Sequence, residues 1–138
     1  AEVRRGNETA ELRLHLTDGW RHRDDIDWRV SSWGLRRMVT GGLKLAAVPD
    51  ERRRDLQIAD GKMALLVEHL GQYGKHAAAK RAGFRKDDIL VSFDGRSDLQ
   101  TSSELLACGA TATRPGTEVP VELLRDGKRM TLQLPMQD

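Results

Sequence analysis

The chain has 138 residues, of which 32% are charged and 38% hydrophobic, and 23 Lys and Arg against 21 Asp and Glu leave a net charge of +2. This length suits one domain with an extension better than two full domains. So small a charge excess implies no nucleic-acid partner. No apolar stretch approaches the roughly 18 residues that a membrane-spanning helix requires, so no membrane span is expected.

The chemistry-bearing residues are few and scattered. The one cysteine, Cys108, has no partner for an internal disulfide and lacks the further cysteines of a structural zinc site. The four histidines do not have the spacing of metal ligands: His15, His22, His69 and His76. No set of nucleophile, base and acid can be assembled either. We therefore expect no metal, no cofactor and no catalytic residue in this chain.

The N-terminal stretch "VRRGNETAELRLHL" predicts a hairpin-like piece. A Gly-Asn turn precedes Leu12, Leu14 and Leu16, which alternate strictly with polar residues. Two interpretations are open. The strand either joins the sheet of the following domain, or residues 1–16 are the last hairpin of a preceding repeat. We prefer the first, because an isolated hairpin is marginally stable in water.

The next segment, "DGWRHRDDIDWRVSSWG", contains all three tryptophans: Trp20, Trp28 and Trp33. Aromatic residues with interleaved arginines can stack on nucleobases, but the aspartates of the same segment oppose binding to a polyanion. We expect the tryptophans to anchor residues 1–40, as an N-terminal extension, on a main domain of residues 41–138. Arginines would stack on their faces.

From residue 41 onward, strands and short helices are predicted in alternation. "VPDERRRDL" indicates a helix start, with Pro49 at the first helical position and acids beside the positive end of the helix dipole. "ALLVEHL", residues 64–70, has the composition of a strand. The alanines of residues 77–82 favour a short helix, and Gly83 is placed to end it in a left-handed conformation.

The C-terminal third predicts a strand, a helix and a hairpin. Ile89, Val91 and Phe93 alternate as a strand that ends at an Asp-Gly turn, and we expect these three side chains to fill the core. In "SSELLACGATA", Ser102 or Ser103 is the expected N-cap of a helix that Gly109 weakens. "TEVPVELLRDGKRMTLQLPMQ" predicts a hairpin, because Asp126-Gly127 suits a type I′ turn with two positive φ angles.

This order of elements resembles the PDZ domains of bacterial HtrA-type serine proteases over residues 41–137. The resemblance rests on a Gly-apolar loop, a Pro-started helix, "AKRAGF" in place of the family's "AxxAGL", "DDIL" in place of "GDxI", and Pro-Gly followed by "RDGK". Asp87 stands where the family has glycine. Asp tolerates left-handed backbone better than most residues, so we expect the fold to survive, with that conformation or with a turn that is tighter or of type I.

No segment resembles the protease half of those enzymes. The tryptophan segment followed by the PDZ pattern is also similar, more weakly, to the tail of bacterial proteins that join a thioredoxin-like domain to a PDZ domain. No Cys-x-x-Cys is present to supply redox chemistry.

The resemblance implies an α+β fold, a PDZ-like small β-sandwich or partly open barrel of five to six strands with two to three short helices. It also implies a non-catalytic module that captures the C-terminus or an extended segment of a partner by β-strand addition. The implied location is the periplasm, the cell envelope or the extracellular space. The alternative is a structural or assembly domain whose groove is filled by its own N-terminal extension, or the docking tail of a protease or thioredoxin-like protein.

The resemblance also assigns site residues by position. The loop Thr40-Gly41-Gly42-Leu43 would receive a peptide carboxylate at its N–H groups, and residues 43–46 would pair with the peptide. Lys44 would add charge, and Gly109 would lie on the opposing helix face. The expected peptide-binding residues are Gly41, Gly42, Leu43, Lys44, Leu45, Ser102, Leu105 and Leu106. A competing register places the loop at Gly34 and Leu35.

Overall fold

The computed structural model describes residues 2–6, 8–11, 13, 15 and 32–138. Five antiparallel strands form one open sheet, not a closed barrel, in the order β3-β4-β5-β6-β7. These strands are β3 Leu43–Ala47, β4 Leu65–Leu70, β5 Ile89–Phe93, β6 Glu118–Arg125 and β7 Lys128–Pro135. The helices are α1 Trp33–Thr40, α2 Asp50–Asp55, α3 Ala78–Arg81, which follows a 3₁₀ turn at Gly74–Ala77, and α4 Ser102–Ala112. The α+β class predicted from the sequence is confirmed.

The predicted N-terminal hairpin is present. Strands β1, Glu2–Arg5, and β2, Glu8–Glu11, pair with each other as a separate two-stranded sheet. Within the described residues, β2 therefore pairs with β1 and does not join the five-stranded sheet. The alternating leucines fall outside the described residues, as do two of the tryptophans: Leu12, Leu14, Leu16, Trp20 and Trp28.

Helix α1 was not anticipated from the sequence. It follows Ser32 at the N-cap position and ends at Gly41, whose φ of 60° is left-handed. Its Val39 side chain belongs to the main hydrophobic cluster, although residues 1–40 were expected to form an extension. The competing register is wrong, because Gly34 and Leu35 lie inside this helix.

The expected stacking of arginine on tryptophan occurs at Trp33. The Arg36 guanidinium carbon lies 5.8 Å from the centroid of the indole ring. The His76 ring meets the same indole edge to face, with centroids 6.3 Å apart. These contacts connect the first turn of α1 to the 3₁₀ turn that precedes α3.

The core lies on both faces of the sheet. The larger cluster joins β3, β4, β5, β6 and β7 to α1 and α4, and a smaller cluster of Val48, Ala64, Ile89 and Val91 covers the opposite face. All five residues of β5 are buried, including Ile89, Val91 and Phe93. No helix within the described ranges is long and apolar enough to cross a membrane.

Two turn predictions are confirmed, and one helix start is corrected. Asp126 and Gly127 have φ angles of 50° and 75°, as a type I′ turn requires, and Gly83 follows α3 with a φ of 97°. Helix α4 is capped by Thr101 rather than by Ser102 or Ser103. The Thr101 side chain accepts from the N–H of Glu104, whose carboxylate returns to Thr101, forming a capping box.

A buried ion pair joins the loop before β5 to the end of β6. Asp88 is only 1% exposed, and its two carboxylate oxygens accept from Nε and an Nη of Arg125 at 2.7 and 2.8 Å. The backbone N–H of Arg85 donates to the same carboxylate at 2.8 Å. The two acids of "KDDIL" therefore have separate structural roles, because Asp88 holds this pair while Asp87 adopts a left-handed φ of 70°.

We predict that Asp88→Asn lowers the free energy of unfolding by about 2–4 kcal/mol, because it leaves a mostly buried guanidinium without its counter-charge. Glu122→Gln is the matched control, since the Glu122–Arg129 pair is exposed and should cost about 0.5 kcal/mol or less. Urea denaturation measures both. Equal effects of the two changes would contradict the role assigned to the buried pair.

We also predict that Asp87→Gly stabilises the protein by up to about 1 kcal/mol, because glycine relieves the left-handed strain of an L-residue. The control is Lys86→Gly at the neighbouring exposed position, whose φ is not positive. This change should destabilise the protein, because glycine increases the backbone entropy of the unfolded chain. Thermal unfolding compares the variants. A lower melting temperature for Asp87→Gly would show that its side chain stabilises the turn.

Candidate functional site

Strand β3 lies at one edge of the five-stranded sheet and pairs only with β4 among the described strands. The N–H of Gly71 donates to the carbonyl of Gly42 at 2.9 Å on the β4 side. The C=O and N–H of one trans peptide unit point in opposite directions. The N–H of Leu43 therefore points away from β4, toward the free edge.

Leu45 presents a second pair of backbone groups at the same edge. It lies opposite Val67 of β4. The N–H of Val67 donates to the backbone carbonyl of Asp88 at 2.8 Å, and its C=O accepts from the N–H of Asp87 at 3.0 Å, so both groups are already bonded away from β3. In an antiparallel ladder, bonded and non-bonded pairs alternate, so Leu45 exchanges no bond with Val67. Its N–H and C=O face the free edge, whereas Ala46, the next residue, faces β4.

The predicted side chains converge, and they are packed together. Leu43, Leu45, Leu105 and Leu106 belong to one hydrophobic cluster between β3 and α4, and each is at most 4% exposed. Ser102, at the start of α4, is also buried. The structure therefore brings these four leucines into one cluster, and their burial makes them core residues in this state.

Lys44 is the exposed member of the predicted set. Its ammonium lies 2.8 Å from the carboxylate of Glu68 on the neighbouring strand, and both side chains are about half exposed. Much of the positive charge expected to face an acidic ligand is therefore offset by its neighbour.

The Gly-Gly loop is occupied by helix α1. The N–H groups of Gly41 and Gly42 both donate to the carbonyl oxygen of Arg36, the latter at 3.0 Å. The hydroxyl of Thr40 donates to the same oxygen at 2.8 Å. Of the three N–H groups expected to receive a carboxylate, only that of Leu43 points to the free edge in this state.

Close packing explains why glycine is needed at Gly42. Its φ is 92°, and a Cβ there would lie 1.9 Å from the carbonyl oxygen of His76. The loop thus sits directly against the 3₁₀ turn before α3. Glycine is required here by the fold, whether or not the loop also binds a ligand.

Helix α1 also covers one end of the space between β3 and α4. A Cβ on Gly109 of α4 would lie 2.1 Å from Cγ1 of Val39, so the Val39 side chain fills the position that a larger residue would need. Sequence reasoning missed this contact because α1 itself was missed. Its signals were a serine cap, apolar residues three and four positions apart, and the terminal Gly-Gly: Ser32, Leu35, Met38 and Val39.

The tail of the chain holds the last turn of α1. The backbone N–H of Gln137 donates to the carbonyl of Met38 at 2.9 Å, and its side-chain amide donates to the carbonyls of Arg37 and Lys75 at 2.7 and 3.0 Å. The Lys75 ammonium bonds the side chain of Asp138 and lowers the pKa of that carboxyl below its usual range.

Comparison with known families identifies this architecture. Residues 74–136 match the family model described as PDZ domain. No curated protein matches the chain. The matched residues begin at the 3₁₀ turn and include the buried ion pair, α4 and the final hairpin. Residues 74–136 therefore match a PDZ domain, and the α+β fold of the described residues is consistent with that family.

Solved structures place HtrA-type protease PDZ domains among its structural neighbours. A variant of the HtrA-type protease AlgW with a decapeptide superposes with a TM-score of 0.59 at 20% identity, covering 70% of this chain and 28% of that one. AlgW with a tripeptide gives 0.54 at 20%, covering 70% and 30%. The HtrA3 PDZ domain bound to a phage-derived ligand gives 0.50 at 18%, covering 68% and 80%. The chain thus spans under a third of the AlgW chains.

Proposed function

We propose that this PDZ domain is a non-catalytic module that binds an extended peptide segment of a partner protein by strand addition along β3. The observation that carries the proposal is the edge of β3, where the backbone N–H of Leu43 and the N–H and C=O of Leu45 point away from β4. An added strand pairs with such groups through its own main chain. That its solved relatives hold a decapeptide, a tripeptide and a phage-derived ligand supports this ligand class.

Main-chain pairing would supply affinity with little dependence on ligand sequence. Two outward N–H groups two residues apart match the spacing at which an antiparallel ligand offers its bonded residues. Lys44 lies between them in sequence, and its side chain is exposed. Its side chain would contact the ligand side chains that lie on the same face of the sheet, while its ammonium stays paired with the Glu68 carboxylate.

The free carboxylate of a ligand has a smaller role while α1 is in place. Gly41 and Gly42 already donate to the Arg36 carbonyl, so a terminal carboxylate would find one outward N–H group, that of Leu43. In this state we propose binding of an extended segment, with or without a free C-terminus.

A second candidate function is a structural or assembly domain that binds no peptide because its own preceding segment fills the groove. The contact between Val39 and Gly109 and the capping of α1 by the loop favour it. The same peptide titration separates the two functions, since a structural domain would leave the β3 amides unchanged.

The wider setting is also a proposal. We propose that the module works in the periplasm, the cell envelope or outside the cell, as part of a larger bacterial protein. Its likeness to HtrA-type PDZ domains supports a protease as that protein. A docking tail on a thioredoxin-like protein is the alternative, supported by the tryptophan-rich segment that precedes α1.

The test is amide hydrogen exchange, read residue by residue by NMR, with a decapeptide selected from a synthetic library. Binding should slow exchange at Leu43 and Leu45 at least tenfold, because the ligand would accept their N–H groups. Ala46 is the internal control, since its N–H already faces β4. Methylating the ligand backbone at a pairing nitrogen should abolish binding, while methylation one residue away should be tolerated. Unchanged exchange at both leucines would exclude strand addition.

A further inference from the structure

We infer that helix α1 is an internal competitor for the terminal end of a peptide ligand, and that its displacement turns C-terminal capture on. The inference rests on the proposed peptide-binding function and adds its regulation. In the closed state, one carbonyl oxygen, that of Arg36, receives the N–H groups of Gly41 and Gly42 together with the Thr40 hydroxyl. A helix C-terminus carries partial negative charge, so this oxygen occupies the loop as an anion would.

The Val39 side chain, which follows Arg36 in α1, occupies a place where a ligand side chain would pack. Val39 lies one turn beyond Arg36 and packs against α4 at Gly109 and near the Phe93 ring, inside the main cluster. A peptide that entered between β3 and α4 would have to place its last side chain in the same space. One apolar residue and one acceptor oxygen are therefore supplied by the chain itself, from residues just before the loop.

Helix α1 is held by contacts that can be released without dismantling the sheet. Its buried residues are Arg36, Val39 and Thr40, while Trp33 and Leu35 are 54% and 41% exposed. Eight residues are too few for a helix to be stable alone in water, so its conformation depends on the loop and on the tail. The tail contacts are three hydrogen bonds from Gln137, which end on Arg37, Met38 and Lys75, and one from the Arg37 guanidinium to the backbone oxygen of Asp138.

When α1 moves away, the three loop amides become available together. The N–H groups of Gly41, Gly42 and Leu43 would then face a carboxylate, as the resemblance to the family implied for this loop. The displaced state would prefer peptides with a free C-terminus, whereas the closed state would bind acid and amide forms of a peptide alike. The ratio of those two affinities therefore reports the position of α1.

The experiment uses a locked and an opened variant. The locked variant carries Val39→Cys and Gly109→Cys in a Cys108→Ser background. A Cβ at position 109 would lie 3.2 Å from the Cβ of residue 39. This separation is close to the roughly 3.5–4.5 Å between the Cβ atoms of a disulfide. Oxidation locks α1 on α4, and reduction releases it. Val39→Ala with Gln137→Ala removes the packing against Gly109 and both side-chain hydrogen bonds of Gln137, and serves as the opened variant.

The readout is the affinity for one selected decapeptide as the free acid and as the C-terminal amide. We expect the two forms to bind the oxidised variant within twofold, and the acid to bind the opened variant at least tenfold more tightly than the amide. Reduction of the locked variant should raise the ratio toward that of the opened one. Circular dichroism checks that each variant is folded. If the bridge does not form, the opened variant alone decides.

Two results would overturn the inference while leaving strand addition intact. One is a tenfold preference for the acid in the oxidised variant, which would show that α1 does not exclude a carboxylate. The other is equal binding of acid and amide to the opened variant while the Leu43 and Leu45 amides are still protected. Failure of either peptide form to protect those amides in any variant would overturn the proposed function as well.

Discussion

The capping of α1 by the Gly-Gly loop is the interaction on which the site depends. The backbone carbonyl oxygen of Arg36 accepts hydrogen bonds from the N–H groups of Gly41 and Gly42. The turn that these bonds form leads the chain from α1 directly into the edge strand β3. Because the Gly42 carbonyl then bonds to Gly71, the direction of each later N–H along β3 is fixed. The cap therefore determines both which loop donors are occupied and which strand groups remain at the free edge.

Much of the fold from Pro49 to the C-terminus was predictable, because the turn and capping residues there indicate the same strands and helices as the pattern of apolar residues. The Asp-Gly turn of the last hairpin needs two positive φ angles, and Gly83 ends a helix of small residues, so sequence signals and structure coincide. The helix start at Thr101 was missed by one residue because three consecutive hydroxyl residues compete for the cap. The carboxylate of Glu104 selects Thr101.

The site was harder to predict because its state depends on contacts distant in sequence. The resemblance assigned the loop, β3 and the face of α4 by position, and the structure places leucines of β3 and α4 in one buried cluster. The sequence alone could not show that Gly109 leaves room for Val39, or that Gln137 bonds the end of α1, since both contacts span about 70 to 100 residues. The glycines suggested a ligand loop, yet close approach to His76 is sufficient reason for Gly42.

When no ligand is bound, the N–H groups of Gly41 and Gly42 should both be bonded to the carbonyl oxygen of Arg36 at the end of α1. Hydrogen exchange of the Gly41 and Gly42 amides in the unliganded protein measures this directly. We expect both to exchange at least a hundredfold more slowly than the exposed turn amide of Gly127, because the Arg36 carbonyl holds them. If the Gly41 and Gly42 amides exchange as fast as that of Gly127, they are not held by the Arg36 carbonyl, and the loop is open to a ligand without any movement of α1.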